Sequence, residues 1–291
     1  MDAKELLKKV RKIEIKTRGL SQNIFAGEYH SAFKGRGVIF SEVREYQPGD
    51  DVRDIDWNVT ARHNKPYVKV YEEERELTLM LLIDVSRSEI FGAKGVEKRE
   101  MMAEIAATLA FSSLQNNDKV GVIFFSDRIE KFIPPKKGKK HILLIIREII
   151  DFEPEGTGTD IHIALEFLTN AIKKRATSFL LSDFIDSHDY AHAMIMANKK
   201  HELAAIQVYD ERDAKLPGVG MIHAEDLETG QVRWIDTSSA SVRRAYEKVW
   251  YDRQQFLNSA VIRSGVELAS IRTDEDYVKA LIGVFRKKSM R

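Results

Sequence analysis

Three short stretches of the chain set oxygen-bearing side chains where chemistry could be done. "LLIDVSRSE", residues 81–89, closes an apolar run with Asp84, Ser86 and Ser88 at alternate positions. "EGTGTDI" holds Thr157 and Thr159 in a glycine-loosened loop just ahead of Asp160. "LLSDF" finishes another apolar run on Asp183. Together they offer two strand-end carboxylates and several hydroxyls, without histidine or sulfur. That inventory suits a hard cation. Magnesium takes six oxygens near octahedral geometry and keeps some of its waters, so a few hydroxyls and carboxylates, binding directly or through water, would hold it without a closed cage. A tight turn after the strand can aim the alternate side chains of Asp-x-Ser-x-Ser at one point. With direct hydroxyl ligands and carboxylates one water away, the ion stays incompletely neutralised and calls for an outside anion.

Other readings of the same residues compete with this one. Asp84 could simply cap the turn that follows it, with Ser86 and Ser88 as ordinary turn residues. It could also be the nucleophile of a phosphatase-like α/β enzyme acting on phosphate esters. Such sites usually need a second acid two residues on, and here Ser86 stands in that place.

The elements that must position these groups begin near Leu77. Apolar runs alternate from there with helix-period segments, the mark of an α/β sheet with crossover helices. The strand candidates are "LTLMLLID", "KVGVIFFS", "SFLLSDF", "ELAAIQVY" and "GVELASI". They are nearly unbroken by charge, as strands covered on both faces should be. Met102, Ile105, Ala106 and Leu109 fall at helical spacing, as do Ile161, Ala164, Leu165 and Leu168 behind the cap residue Asp160. Residues 218–237 read as a hairpin turning at Glu228-Thr229-Gly230 and added at a sheet edge. A helix over 240–264, the last strand and a closing helix with Val278, Leu281, Ile282 and Phe285 complete the pattern. The expectation is a doubly wound, mostly parallel sheet over 76–291, preceded by an irregular extension with short strands over 1–75. In a sheet of this kind ligands collect outside the carboxyl ends of the strands, where all three polar stretches fall.

Composition narrows the function. The 46 basic and 45 acidic residues of the 291 nearly cancel, so no long-range field draws nucleic acid. There is no cysteine, which removes thiolate nucleophiles and cysteine-rich zinc sites. No stretch approaches the ~18 apolar residues of a membrane span, nor is there a secretory leader. The lysines of "PPKKGKK" read as a solvated turn and helix start, and His188 and His192 as surface residues of a helix rather than a zinc site. No serine-hydrolase elbow, Walker loop or dinucleotide fingerprint is present, so the expectation is a non-enzyme. Upstream, Arg44, Asp50, Asp51, Arg53, Asp54, Asp56 and Trp57 mix opposite charges with an aromatic ring. That set points either to an irregular segment locked by buried ion pairs or to a binding surface.

In order and spacing, "DVSRS", "GTGTD" and "LLSDF" resemble the metal-ion-dependent adhesion site of von Willebrand factor A domains. "FSEVREYQPGDDVRDIDWNVTARHNKPYVKVYEEE" closely resembles the signature of a bacterial group, the domain-of-unknown-function fifty-eight family. The two resemblances cover about residues 25 to 210. They imply Ser86 and Ser88 as direct ligands and Thr159 as the threonine that binds or approaches the ion, with Thr157 an alternative to it. Asp84 and Asp183 would hold the ion directly or through water, with Thr157 and Asp160 standing behind the ligands. The ion implied is Mg2+, with Mn2+ or Ca2+ as alternatives, and its sixth place is commonly filled by a partner's carboxylate. The family resemblance further implies work beside a MoxR-type AAA+ ATPase in the assembly or activation of other complexes. Many such relatives carry amino-terminal membrane helices; this sequence does not, so the expected location is cytoplasmic, or at the membrane periphery through partners.

Overall fold

This computed structural model describes residues 10–17, 38–63, 65–73, 77–87, 98–225 and 231–289. The chain divides into two compact units, Lys34–Leu77 and Met1–Phe33 with Thr78–Arg291. Residues 10–17 form a short helix, α1, which groups with the larger unit: Lys16 pairs with Glu104, and Lys139 Nζ reaches Glu14 Oε1 at 2.6 Å.

The smaller unit is an antiparallel pair of strands, β1 (Val38–Glu45) and β2 (Tyr67–Glu73), joined through a single 3-10 turn and a short helix, α2 (Trp57–His63). The ladder slips between Phe40 and Glu42, an irregularity of the kind that bends an edge. Val68 is its one buried side chain among the described residues.

The larger unit is built on six strands. β3 (Thr78–Asp84), β4 (Lys119–Phe125), β6 (Thr177–Ser182), β7 (Glu202–Tyr209) and β10 (Glu267–Arg272) run parallel, and β5 (Ile129–Lys136) lies antiparallel at one edge. The spatial order is β10-β7-β6-β3-β4-β5. Every expected strand is present. β5 is the addition, and it corrects the reading of "PPKKGKK": Pro134, Pro135 and Lys136 finish an edge strand, which tolerates residues without an N–H to donate. Gly138 then turns at a φ of 103°, and Lys139 opens the next helix, α4 (Lys139–Asp151).

Helices cover both faces, and the alternation of β3 shows how. Met80 and Leu82 join a core with Leu165 and Leu168 of α5 (Ile161–Ala171), Met194 of α6 (Ala191–Lys200) and Leu257 of α8 (Ala240–Ser264). Leu79, Leu81 and Ile83 point the other way, toward the face where Phe179 meets Phe285 of α9 (Tyr277–Ser289) edge to face at 6.2 Å. The helix α3 (Lys98–Gln115) carries the expected stripe, yet Met101, Ala103, Ala107 and Phe111 are buried as well. A second layer explains this, since α4 packs against α3 and Thr108 Oγ1 lies 3.5 Å from the Tyr277 hydroxyl of α9.

β8 (Met221–Glu225) and β9 (Val232–Asp236) form the expected hairpin, but as a two-stranded sheet of its own rather than an extension of the main one. The residues of both strands are half-buried or exposed throughout, Met221, Val232 and Trp234 among the exposed ones, so the hairpin adds no side chain to the core. Its expected turn, Glu228 to Gly230, lies outside the described residues. A four-residue helix, α7 (Glu211–Ala214), precedes it behind a capping box on Asp210.

His201 joins α6 to β7 and is fully buried. Its Nδ1 accepts the N–H of Ala176 at 3.2 Å, which requires that nitrogen to be unprotonated. Burial, helped by the neighbouring Lys200 charge, lowers its pKa from 6.5 to about 4. Between those values the unfolded chain binds a proton that the folded one refuses, so His201 favours the fold above pH 6.5 and loses that advantage as pH falls toward 4. Urea unfolding of wild type and His201→Gln should therefore converge by about 3 kcal/mol between neutral pH and pH 4. A pH-independent gap between the two would contradict it.

Candidate metal centre

Asp84 is the last residue of β3, and Asp183 the first after β6. These strands are neighbours at the point where the order of connection reverses, with β4 on one side of β3 and β6 on the other. Their carboxyl ends open the crevice where such sheets hold ligands. Both carboxylates are buried, at 1% and 0% exposure.

Each aspartate oxygen has a donor. Asp84 Oδ1 accepts from the backbone N–H of Ser86 at 2.9 Å, the short-range bond that makes the turn, and Oδ2 accepts from Ser182 Oγ at 2.6 Å. Asp183 Oδ1 accepts from the Ile185 N–H at 2.9 Å, and Oδ2 from Lys98 Nζ at 2.7 Å. Lys98, itself 1% exposed, also reaches Asp213 Oδ2 at 3.2 Å. Burial pushes the Asp84 carboxyl up to about 7. The charge of Asp183 pushes it the same way, and hydrogen bonds from Ser182 and Ser86 oppose the rise. Immediately after Asp183 the backbone of Phe184 takes a φ of 59°, rare for a bulky side chain and costing of order 1–3 kcal/mol. Ser182 Oγ accepts the Phe184 N–H at 2.9 Å, so one hydroxyl fastens both the strained turn and Asp84.

Thr159 arrives on the loop between α4 and α5, which is tied to both neighbours. The Asp160 N–H donates to Ser126 O at 2.8 Å, at the end of β4, and the Ile161 N–H to Asp186 Oδ2 at 2.8 Å, just past Asp183. Glu130 Oε1 accepts from both Ser126 Oγ, at 2.6 Å, and the Gly156 N–H, at 2.7 Å. The Thr159 hydroxyl is buried and has no hydrogen-bond partner.

Of the residues singled out by sequence, Asp84, Ser86, Thr159 and Asp183 thus come to one end of the sheet, all buried. Ser88 lies outside the described residues. Thr157 is half-buried, so Thr159 is the threonine whose hydroxyl is enclosed. Asp160 caps α5 through the Ile163 N–H at 3.1 Å and lies with Asp186 and His188, their ligand atoms within 4.8 Å of one another. Asp186 there accepts from Ile161 on one oxygen and from His188 on the other, which accounts for the grouping as a joint between two loops. His188 precedes α6 and pairs with Asp186 through Nδ1 at 2.8 Å, an interaction that raises its pKa; His192 is exposed on the helix. The two histidines therefore do not share a helical face.

The upstream signature belongs to the smaller unit. Arg44 grips Asp50 through two bonds of 2.8 and 2.7 Å, Asp51 accepts from the Arg53 N–H, and Asp56 accepts from Asn58 and Val59 with Lys69 at 3.6 Å. Asp54 and Trp57 are exposed, the indole at 69%. These pairs are half-buried rather than enclosed, with side-chain exposures of 37% and 20% for Arg44 and Asp50 and of 38% and 14% for Lys69 and Asp56. Among the described residues of this unit only Val68 is buried, so they offer little interior in which to enclose a charge.

Sequence reasoning missed Lys98, Asp213, Glu130 and Ser126. Ser182 was legible in principle, one residue before Asp183 in "LLSDF". Lys98 stands in "VEKREMM", where a charged run reads as a solvated helix start.

A mostly parallel sheet with helices on both faces and hard oxygens at its switch point defines a doubly wound α/β domain with a candidate metal centre. The model of the family described as "Protein of unknown function DUF58" matches residues 42–255, and the chain belongs to that family. An uncharacterized protein of Mycobacterium tuberculosis, Rv1480, is 28% identical over 284 residues, covering 97% of this chain and 89% of that one. Among solved structures, the conserved hypothetical protein BatB from Bacteroides thetaiotaomicron matches 74% of this chain and 100% of its own at 16% identity and a TM-score of 0.48. The SpRpn10 VWA domain matches 71% and 94% at 12% identity and a TM-score of 0.42. No helix among the described residues is long and apolar enough to cross a membrane.

Gly156 is where the threonine loop lies closest to the turn between β4 and β5. A Cβ added there would overlap the Asp127 carboxylate and Ser126 Oγ. Gly156→Ala should displace the loop and cost about 1–3 kcal/mol, measured by thermal or urea unfolding. A neutral substitution would mean that the loop is not held against this turn.

Proposed function

We propose that the protein is a divalent-cation-dependent interaction module, in which Asp84, Ser86, Ser88, Thr159 and Asp183 hold Mg2+ and a partner supplies an acidic side chain. One observation carries the reading: Thr159 Oγ1 is a buried hydroxyl without a partner, on a loop bonded to Ser126 at the end of β4 and to Asp186 just past Asp183, at the end of the sheet where Asp84 and Asp183 are buried. Leaving such a group unsatisfied costs about 1–3 kcal/mol, so its persistence there asks for a ligand. Every neighbouring donor is a hard oxygen, which favours Mg2+, with Mn2+ or Ca2+ able to substitute. When bound, the ion would supply positive charge to an incoming carboxylate. The chain's own residues hold the oxygens in place and keep water from most of them. The family resemblance supports a MoxR-type AAA+ ATPase as partner, with the present chain as its adaptor or substrate-presenting subunit.

Thermal unfolding in Mg2+ tests this without a partner. A ligand that binds only the folded state should add about 2.7 kcal/mol at a hundredfold excess over Kd. Thr159→Val should abolish that gain while leaving the metal-free protein as stable as wild type, or more stable by about 1 kcal/mol. A wild-type protein indifferent to Mg2+, Mn2+ and Ca2+ would sink the reading. Capture of the ATPase in Mg2+ and its release by chelator would test the partner; retention after chelation would refute the role of the ion in that contact.

A further inference from the structure

The strand-end site already contains a cation. Lys98, the first residue of α3, puts its ammonium 2.7 Å from Asp183 Oδ2 and 3.2 Å from Asp213 Oδ2, with essentially no exposure to solvent. The other Asp183 oxygen accepts the Ile185 N–H, which uses one of its two lone pairs, so an ion drawing on Asp183 arrives at a carboxylate whose charge the ammonium already partly neutralises. Asp213 offers the ammonium a second seat. Its Oδ2 also accepts the Asp210 N–H at 2.8 Å in the capping box of α7, which holds that carboxylate in place.

Resting on the reading that this site takes a divalent ion, we propose that Lys98 is an internal counter-cation that sets the ion's affinity, with Asp213 as its alternative seat. Two consequences follow from Coulomb's law in a poorly screened interior. The ammonium repels an arriving divalent ion and neutralises part of the carboxylate charge it would use, so affinity is held down. Asp213 draws the ammonium off Asp183, so affinity is held up. The ammonium leaves the loaded site with more uncompensated positive charge, which attracts an added carboxylate, so ion and acidic partner bind cooperatively. Lys98 is thus a positioning residue for the ion rather than a ligand.

The test is Mn2+ binding by the full chain, followed by electron paramagnetic resonance of the free ion, with Mg2+ titration calorimetry alongside. Lys98→Met should bind Mn2+ at least tenfold more tightly than wild type. Asp213→Asn should bind severalfold more weakly, because a neutral amide draws the ammonium off Asp183 less than a carboxylate does. A merely structural role predicts that both substitutions loosen the site, so opposite signs are the signature. Circular dichroism confirms folding; if Lys98→Met does not fold, Asp213→Asn decides, and unchanged or tighter binding overturns the proposal. Wild-type binding without tightening in a folded Lys98→Met overturns this inference and leaves the ion reading standing. Absence of Mn2+ and Mg2+ binding in both wild type and Lys98→Met removes the two together.

Discussion

Two carboxylates at the ends of adjacent parallel strands share one dehydrated crevice, and the surrounding structure answers to that constraint. Taking an ion out of water costs several kcal/mol even after relaxation, and a second like charge beside it adds to the cost. The chain meets this with directed hydrogen bonds rather than solvent. Backbone N–H groups from Ser86 and Ile185 point back at the aspartates two residues earlier, Ser182 donates to Asp84, and Lys98 neutralises part of the charge on Asp183. The pKa of Asp84, raised to about 7, shows that compensation on its side is incomplete. A divalent cation would complete it. The strained φ of Phe184 belongs to the same arrangement, since the turn that bends there brings the Phe184 N–H onto Ser182 Oγ, with the ring buried beside Tyr190.

Thr159 presents a different problem, because a loop carries it and loops are free to wander. Here the loop is fastened at both ends by groups outside it. Ser126 O and Glu130 hold it to the turn between β4 and β5, and Asp186 holds it to the segment after β6. Asp186 remains buried for this purpose, and desolvation raises its pKa against the hydrogen bonds it accepts. The carboxyl ends of β4 and β6 are thereby locked to this loop by polar contacts that do not involve the side chains of the candidate ligands. The site can hold its oxygens in position before anything binds, which lowers the ordering cost of binding.

Much of this was legible because parallel sheets leave a strong imprint. Strands covered on both faces read as unbroken apolar runs, and polar residues at their ends mark the carboxyl edge, so Asp84 and Asp183 announced themselves. Asp160 was readable as a cap, with Ile161 to Leu168 carrying one helical stripe. What the sequence concealed were partnerships at long range. Lys98 and Asp183 are 85 residues apart, and Lys98 and Asp213 are 115 apart; nothing local distinguishes a lysine that will be buried from one that will be solvated. β5 was hidden by its prolines, which argue against a strand except at an edge. That the pairs of Arg44 with Asp50 and of Asp56 with Lys69 are only half-buried was not legible, because mixed charge among aromatics says nothing about how much core the segment can build.

A buried hydroxyl without a partner is not by itself a sign of function, and this protein supplies its own control. Ser178 Oγ is also enclosed and unpaired. It lies within β6, between Thr177 and Phe179, surrounded by buried strand residues on the covered sheet. A cation placed there would find one weak oxygen and no charge to offset its desolvation, so Ser178 is an energetic cost that the packing of the core outweighs. Thr159 stands instead where the strands end, on a loop joined to the turn after β4 and to the segment that follows Asp183. The same unsatisfied atom is therefore a tolerated defect in one setting and, on the proposed reading, a candidate ligand in the other. What separates the two settings is the company of carboxylates, which only the topology of the sheet can bring together.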